Sequence, residues 1–199
     1  LLTHRSGLTY DFLGWCHVAP LYRAQDISDD GSKNLEEKCE NLSNIPLAYQ
    51  PGTQFNYSVS LDVLARIIEV ISGKDFHTIL KKEIFEPLEM KDTGFGVKEE
   101  NVPKLMSTYG AKDFKDIMNI GPHVLSETNV NQHNPYNKPE SFQRGGTGLF
   151  STTQDFLSFA RMLLTGKSQN GEIILSRNMV DFMKVNRLQQ TQLSLFPGA

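Results

Sequence analysis

The chain has 199 residues, 39% of them hydrophobic and 22% charged, with a formal net charge of -3. That composition fits one globular unit able to bury a core, and it excludes collagen-like and disordered classes. Lysine and arginine are scattered rather than gathered in a stripe, so neither nucleic acid nor an anionic membrane surface is indicated as a partner. No apolar run approaches the roughly 20 residues that span a bilayer. Cys16 and Cys39 are too few and too isolated for a disulfide framework or a zinc site, and they read as free thiols.

Thr3-His4-Arg5-Ser6-Gly7 reads as a turn, with a glycine for the sharp bend and side chains able to bond local backbone. His4 invites a catalytic reading, but no aspartate-and-nucleophile arrangement accompanies it, and a structural, hydrogen-bonded histidine is the simpler expectation. Leu13 to Tyr22, which includes Trp15, is rich enough in aromatics to line a pocket, although a core or lid role is the more ordinary one. Ser32 to Leu42 predicts a short amphipathic helix with Leu35, Cys39 and Leu42 on one stripe and Glu36, Glu37, Lys38 and Glu40 on a solvated face.

Pro51-Gly52 then stops the chain before Thr53-Gln54-Phe55-Asn56-Tyr57-Ser58-Val59-Ser60, which opens a strong helix. Its apolar residues Leu61, Leu64, Ile67, Ile68 and Ile71 recur at helical spacing, Ser58 or Ser60 is placed to cap it, and Gly73 ends it. Tyr57 is thereby delivered to a helix head, where exposed amides and the dipole favour negative charge, as a proton-accepting phenol requires. A core tyrosine at a helix start satisfies the same pattern.

Asp75 is set to cap a second helix that turns Phe76, Ile79, Leu80 and Ile84 inward and halts at Pro87. Lys74, Lys81 and Lys82 read as exposed helix lysines rather than as a catalytic amine. From Pro103 to Arg144 the pattern is irregular, with short strands expected at Tyr109 and at His123-Val124-Leu125. A polar run from Asn129 to Asn137 suits either a substrate-side loop or a surface excursion. Gly145, Gly146 and Gly148 match no nucleotide-binding spacing and read as a tight backbone approach before a helix, so no cofactor is expected.

In that helix Ser151 or Thr152 is the cap, Gln154 or Asp155 closes a capping box, and Phe156, Leu157, Ala160, Leu163 and Leu164 form the buried stripe before Gly166. Ser176 caps a last helix expected to bury Met179, Phe182 and Met183.

Three segments carry a resemblance. Pro51-Gly52-Thr53-Gln54-Phe55 leading into Tyr57-Ser58-Val59, Leu1-Leu2-Thr3-His4-Arg5-Ser6-Gly7-Leu8, and Gly145-Gly146-Thr147-Gly148-Leu149-Phe150-Ser151-Thr152 resemble the serine β-lactamase and penicillin-binding-protein superfamily. Local similarity at Leu8-Thr9-Tyr10, Leu21-Tyr22-Arg23, Leu61-Asp62-Val63-Leu64 and Ile84 to Phe95 is closest to its carboxylesterases related to class C β-lactamases. The resemblance implies an α+β fold, with residues 1–199 a partial β-lactamase-related serine hydrolase domain. This is mostly the helical part of a β-lactamase/transpeptidase-like fold, with the nucleophile helix and the C-terminal sheet strands missing. It also implies a small-molecule ester or β-lactam-like substrate.

In such enzymes a serine of a Ser-x-x-Lys motif attacks the carbonyl while the lysine and a tyrosine move protons. No Ser-x-x-Lys occurs in the chain, and neither does a Gly-x-Ser-x-Gly elbow. The resemblance therefore makes the chain a fragment, with the nucleophile expected upstream of Leu1 and the Lys-Thr-Gly strand downstream of Ala199, and it makes Tyr57 the catalytic residue that remains. Val59 stands where the β-lactamases carry an asparagine that bonds the substrate's amide. As a substrate-binding residue it offers neither donor nor acceptor, which favours small acyl esters over amides.

Overall fold

The computed structural model describes residues 1–14, 16–27, 31–111, 125–128, 135–140 and 142–188. Trp15, His123, Val124 and the polar residues 129–134 lie outside them, so the expectations placed there stay with the sequence. The elements run α1 (Ala19–Ala24), α2 (Leu35–Ser43), α3 (Ser60–Ser72), α4 (Phe76–Leu80) widening into a π-helical turn at Lys81–Phe85, and a 3₁₀ segment at Glu99–Lys104. Strands β1 (Thr108–Ala111) and β2 (Leu125–Thr128) follow, then α5 (Thr153–Thr165) and α6 (Arg177–Met183). The two strands pair antiparallel, with Tyr109 opposite Glu127. The result is the mixed α+β class with helices predominating.

Most helix boundaries fall where the caps are. Asn34 and Glu37 close a reciprocal capping box on α2, each bond 2.9 Å. Asp75 accepts the Thr78 amide at 3.0 Å, Thr152 the Asp155 amide at 3.2 Å, and Ser176 the Met179 amide at 3.2 Å. Such caps satisfy amides that the helix itself leaves orphaned. Gly73 and Gly166 end α3 and α5 in the left-handed region, at φ 66° and 76°.

Two capping expectations are corrected. The residue before α3 is Val59, which contributes no side-chain cap, because the hydroxyls of Ser58 and Ser60 bond to each other instead. Asp155 does not close a box on α5. Its carboxylate reaches across to the Asp92 amide and the Thr93 hydroxyl, each at 2.8 Å, and pins the loop after the π-helical turn.

The helix stripes are corrected more deeply. In α3 the buried positions are Ser60, Asp62 and Ala65, while Ile67 is only partly covered and Ile71 is 80% exposed. In α5 they are Asp155, Ser158 and Met162, with Phe156, Leu157 and Leu164 exposed. In α6 Val180 is buried, and Met179, Phe182 and Met183 are not. Periodicity marks the apolar face of a helix, but only part of each stripe is packed: Ile68 of α3 and Leu163 of α5 lie partly buried against the core clusters, while Ile71, Phe156, Leu157 and Leu164 stay exposed.

Burial is concentrated in three clusters. The largest gathers Leu13, Cys16, Val18, Ala19, Tyr22 and Ile27 around α1 with Leu42, Ile45 and Val59. The second joins Leu35, Ala65, Phe76 and Phe95, and the third Phe85, Leu88, Met90 and Met162. Of the stretch Leu13 to Tyr22, Leu13, Cys16, Val18, Ala19 and Tyr22 are thus core, and Cys16 and Cys39 are free.

The glycine stretch before α5 is bound to α3 by close approach. A Cβ on Gly145 would lie 1.9 Å from the Leu61 carbonyl oxygen, a backbone atom that cannot swing aside. Gly145→Ala is therefore expected to cost at least about 2 kcal/mol, the range of core overpacking. At this chain length that is a drop of roughly 4–8 °C in Tm by calorimetry. An unchanged Tm would show that the two segments are not in contact.

Candidate active site

Two loops face each other ahead of α3 and are laced by backbone hydrogen bonds. Gly52 donates to the Arg5 carbonyl at 2.7 Å, Asn56 to the His4 carbonyl at 2.8 Å, Ala48 to that of Gly7 at 2.8 Å, and Val59 to that of Thr9 at 3.3 Å. The Asn56 side chain adds a bond to the Leu8 carbonyl at 2.8 Å. Gly7 is required at this seam, since its φ is +84° and a Cβ there would lie 2.1 Å from the Tyr49 carbonyl oxygen. The opening turn of the sequence and the tyrosine loop are thus one structure.

Tyr57 rises from that seam three residues before the first residue of α3. Its ring is flanked by His4 and Tyr10, with centroids 4.9 and 5.0 Å away, and Tyr10 is stacked on Phe12. The residue is 43% exposed, and its hydroxyl makes no hydrogen bond among the described residues. It is accordingly not a core tyrosine, and its hydroxyl is free to meet a ligand.

Val59 lies differently. It is 2% exposed and packs in the core around α1, bordering a small cavity of about 200 Å³ with Tyr10, Phe12, Phe142 and Thr147. Asp62 and Lys38 also line this cavity.

The charge run of α2 is not all solvated. Lys38 and Asp62 form an ion pair at 2.7 Å with side chains 4% and 3% exposed. The second Asp62 carboxylate oxygen accepts the Gly146 amide at 3.0 Å. One buried carboxylate thus fastens α2, the first turn of α3 and the glycine stretch together, within a few residues of Tyr57. Nearby, the Arg144 guanidinium is also buried and donates to the carbonyls of Gln143 and Lys33. Lys74, Lys81 and Lys82 are exposed, as the sequence implies.

Sequence reasoning missed His4 as a neighbour of Tyr57 and the pairing of Lys38 with Asp62. An aspartate inside an otherwise apolar helix start was the available signal for Asp62. Nothing in the sequence distinguishes Lys38 from its charged neighbours.

A larger cleft of about 1160 Å³ runs past His77, Met90, Thr93, Tyr136 and Phe150. His77 Nδ1 is buried there without a partner, and burial lowers the imidazole's pKa. The cleft touches neither Tyr57 nor Val59, so size is a poorer guide here than the chemistry around the tyrosine. Among the described residues no group of histidine, cysteine and carboxylate side chains could hold a metal, and no helix is long and apolar enough to cross a membrane.

Comparison with known proteins gives the family. The Beta-lactamase family model matches residues 1–194, and the chain belongs to that family. Protein Rv1367c of Mycobacterium tuberculosis is 31% identical over 194 residues, covering 96% of this chain and 44% of its own length. Lovastatin esterase of Penicillium rubens is 30% identical over 184 residues, covering 92% of this chain and 42% of its own. The chain thus spans less than half the length of these curated relatives. Among solved structures, EstCE1, a hydrolase with promiscuous acyltransferase activity, superposes with a TM-score of 0.67 at 22% identity, over 86% of this chain and 46% of its own. That likeness shows the fold.

The buried ion pair makes a quantitative prediction. Lys38→Met leaves the Asp62 carboxylate buried without its cation, which should cost about 3–5 kcal/mol. Denaturant unfolding of the variant checks this, and a loss under about 1 kcal/mol would mark the pair as solvated.

Proposed function

We propose that residues 1–199 are part of a serine hydrolase domain that acts on small acyl esters through an acyl-enzyme, with Tyr57 as its proton-transfer residue. The observation that carries this reading is the Tyr57 hydroxyl, unbonded and exposed on a ring held between His4 and Tyr10. A phenol so placed can take the proton from an attacking hydroxyl and return it to the leaving alkoxide, provided the nucleophile comes from a Ser-x-x-Lys outside these residues. The printed names of relatives support an ester substrate, lovastatin esterase and Esterase EstB of Burkholderia gladioli among them.

Val59 supports the same preference. It stands where the β-lactamases carry an asparagine, and a valine buried in the core offers an amide substrate neither donor nor acceptor. The β-lactamase or D-Ala carboxypeptidase reading lacks that support, and a non-catalytic, ligand-binding role is separated from the enzyme by the presence of Ser-x-x-Lys in the longer protein.

The 199-residue chain should neither hydrolyse p-nitrophenyl esters nor be labelled by a serine-directed phosphonate. Stoichiometric labelling would overturn the assignment of roles. In a longer form that carries Ser-x-x-Lys, short esters should be cleaved with far higher efficiency than a chromogenic cephalosporin. Tyr57→Phe should there lower kcat by about 10²–10⁴-fold, the range for general acid-base help. Turnover that survives the substitution within a few fold would make Tyr57 a packing residue.

A further inference from the structure

His4 is held more firmly than a turn residue needs to be. Its backbone sits in the left-handed region at φ 49°, a conformation uncommon for any residue but glycine and retained only where the surroundings enforce it. Here its amide donates to the Leu1 carbonyl at 2.9 Å and its carbonyl accepts the Asn56 amide at 2.8 Å. The ring is set between Phe55, at 5.9 Å, and Tyr57, at 4.9 Å.

Behind the ring runs a chain of hydroxyls. The Leu8 amide donates to Ser6 Oγ at 3.2 Å. Ser6 and Ser60 are 2.6 Å apart, Ser60 and Ser58 2.6 Å, and Ser58 Oγ lies 3.3 Å from His4 Nδ1. Ser58 and Ser60 are completely buried, so their protons must be placed inside the chain of contacts.

Two directions are open to those protons. Run toward the imidazole, Ser6 receives the Leu8 amide and donates to Ser60, Ser60 donates to Ser58, and Ser58 donates to Nδ1. Every donor then has one acceptor within the protein. Run the other way, Ser6 Oγ must accept both the amide and the Ser60 hydroxyl, and its own proton is left to solvent. The first arrangement satisfies more of the groups.

We propose that His4 is the positioning residue for Tyr57, its imidazole kept neutral and Nε2-protonated by the Ser6, Ser60, Ser58 chain and held against the phenol ring. This rests on the role given to Tyr57 above. A neutral ring orients the phenol through contact, without placing a further charge beside it. Burial lowers the His4 pKa in the same sense. The Tyr57 phenol is the titratable group that packs against its ring.

The test is nitrogen NMR on the histidine-labelled chain, with His4 assigned through His4→Gln. Near neutral pH, Nε2 should carry the proton and Nδ1 should not. Ser58→Ala removes a donor to the neutral form, so the proton affinity of His4 should rise about threefold to tenfold. An Nδ1-protonated ring, or an affinity that falls in Ser58→Ala, would show that the hydroxyls run the other way and overturn the proposal. If that variant fails to fold, the tautomer of the unsubstituted chain decides.

The Tyr57 ring carbons should register the His4 titration, and carbons that ignore it would remove the contact on which positioning depends. In a longer form that hydrolyses esters, His4→Gln should lower kcat about tenfold at unchanged KM, and an unchanged kcat rejects the role. The NMR measurements need no hydrolysis, so an inactive protein would sink the functional reading while leaving the histidine's state to be decided separately.

Discussion

The buried carboxylate of Asp62 is the constraint on which the rest of the site depends. One of its oxygens takes the Lys38 ammonium and the other the Gly146 amide. Both side chains have given up water, a cost repaid only when the remaining lone pairs and protons are satisfied. Here both oxygens are used. The pair is thus stabilising only as a complete set, and it holds together three segments that are far apart in sequence.

The consequence is felt at Tyr57, five residues ahead of Asp62. The first turn of α3 is fixed from behind by Lys38 and from the side by the Gly145-Gly146 backbone, which touches the Leu61 carbonyl. The loop before it is fixed by the bonds to residues 4–9. Between these anchors the tyrosine ring has little freedom, while its hydroxyl stays open to solvent. A rigid frame around an exposed side chain is what the proton-transfer role proposed for Tyr57 requires.

The fold was legible in the sequence where local chemistry decides it. Asp75, Thr152 and Ser176 cap helices because short polar side chains reach the orphan amides, and Gly73 and Gly166 end helices because they accept positive φ, whereas α2, expected from Ser32, starts later behind the Asn34 cap. The ordered motifs were enough to name the family. What could not be read was which face of each helix meets the others. Leu61, Leu64, Ile67, Ile68 and Ile71 mark an apolar stripe on α3, yet of these Ile68 packs against a core cluster while Ile67 and Ile71 are exposed, and the fully buried positions are Ser60, Asp62 and Ala65. The spacing of apolar residues says which face would profit from cover and not where the cover is.

The site was legible to a similar degree. Tyr57 stood out through its place before a helix, and His4 through its own turn, but their meeting is a tertiary fact with no local signature. Lys38 was hidden among charged neighbours that really are solvated, since helical position alone does not reveal a distant aspartate. Val59 was read as facing a substrate, and its side chain instead packs into the core while bordering the small cavity.

The central claim is that the Lys38, Asp62 and Gly146 contacts make the tyrosine loop and the glycine stretch a single rigid unit. Amide hydrogen exchange tests it most directly. The Gly146 and Asn56 amides should exchange only through unfolding of the unit as a whole, with matching free energies, and should lose protection together in Asp62→Ala. A Gly146 amide that exchanges as fast as an exposed loop, or that loses protection while Asn56 keeps its own, would contradict the account.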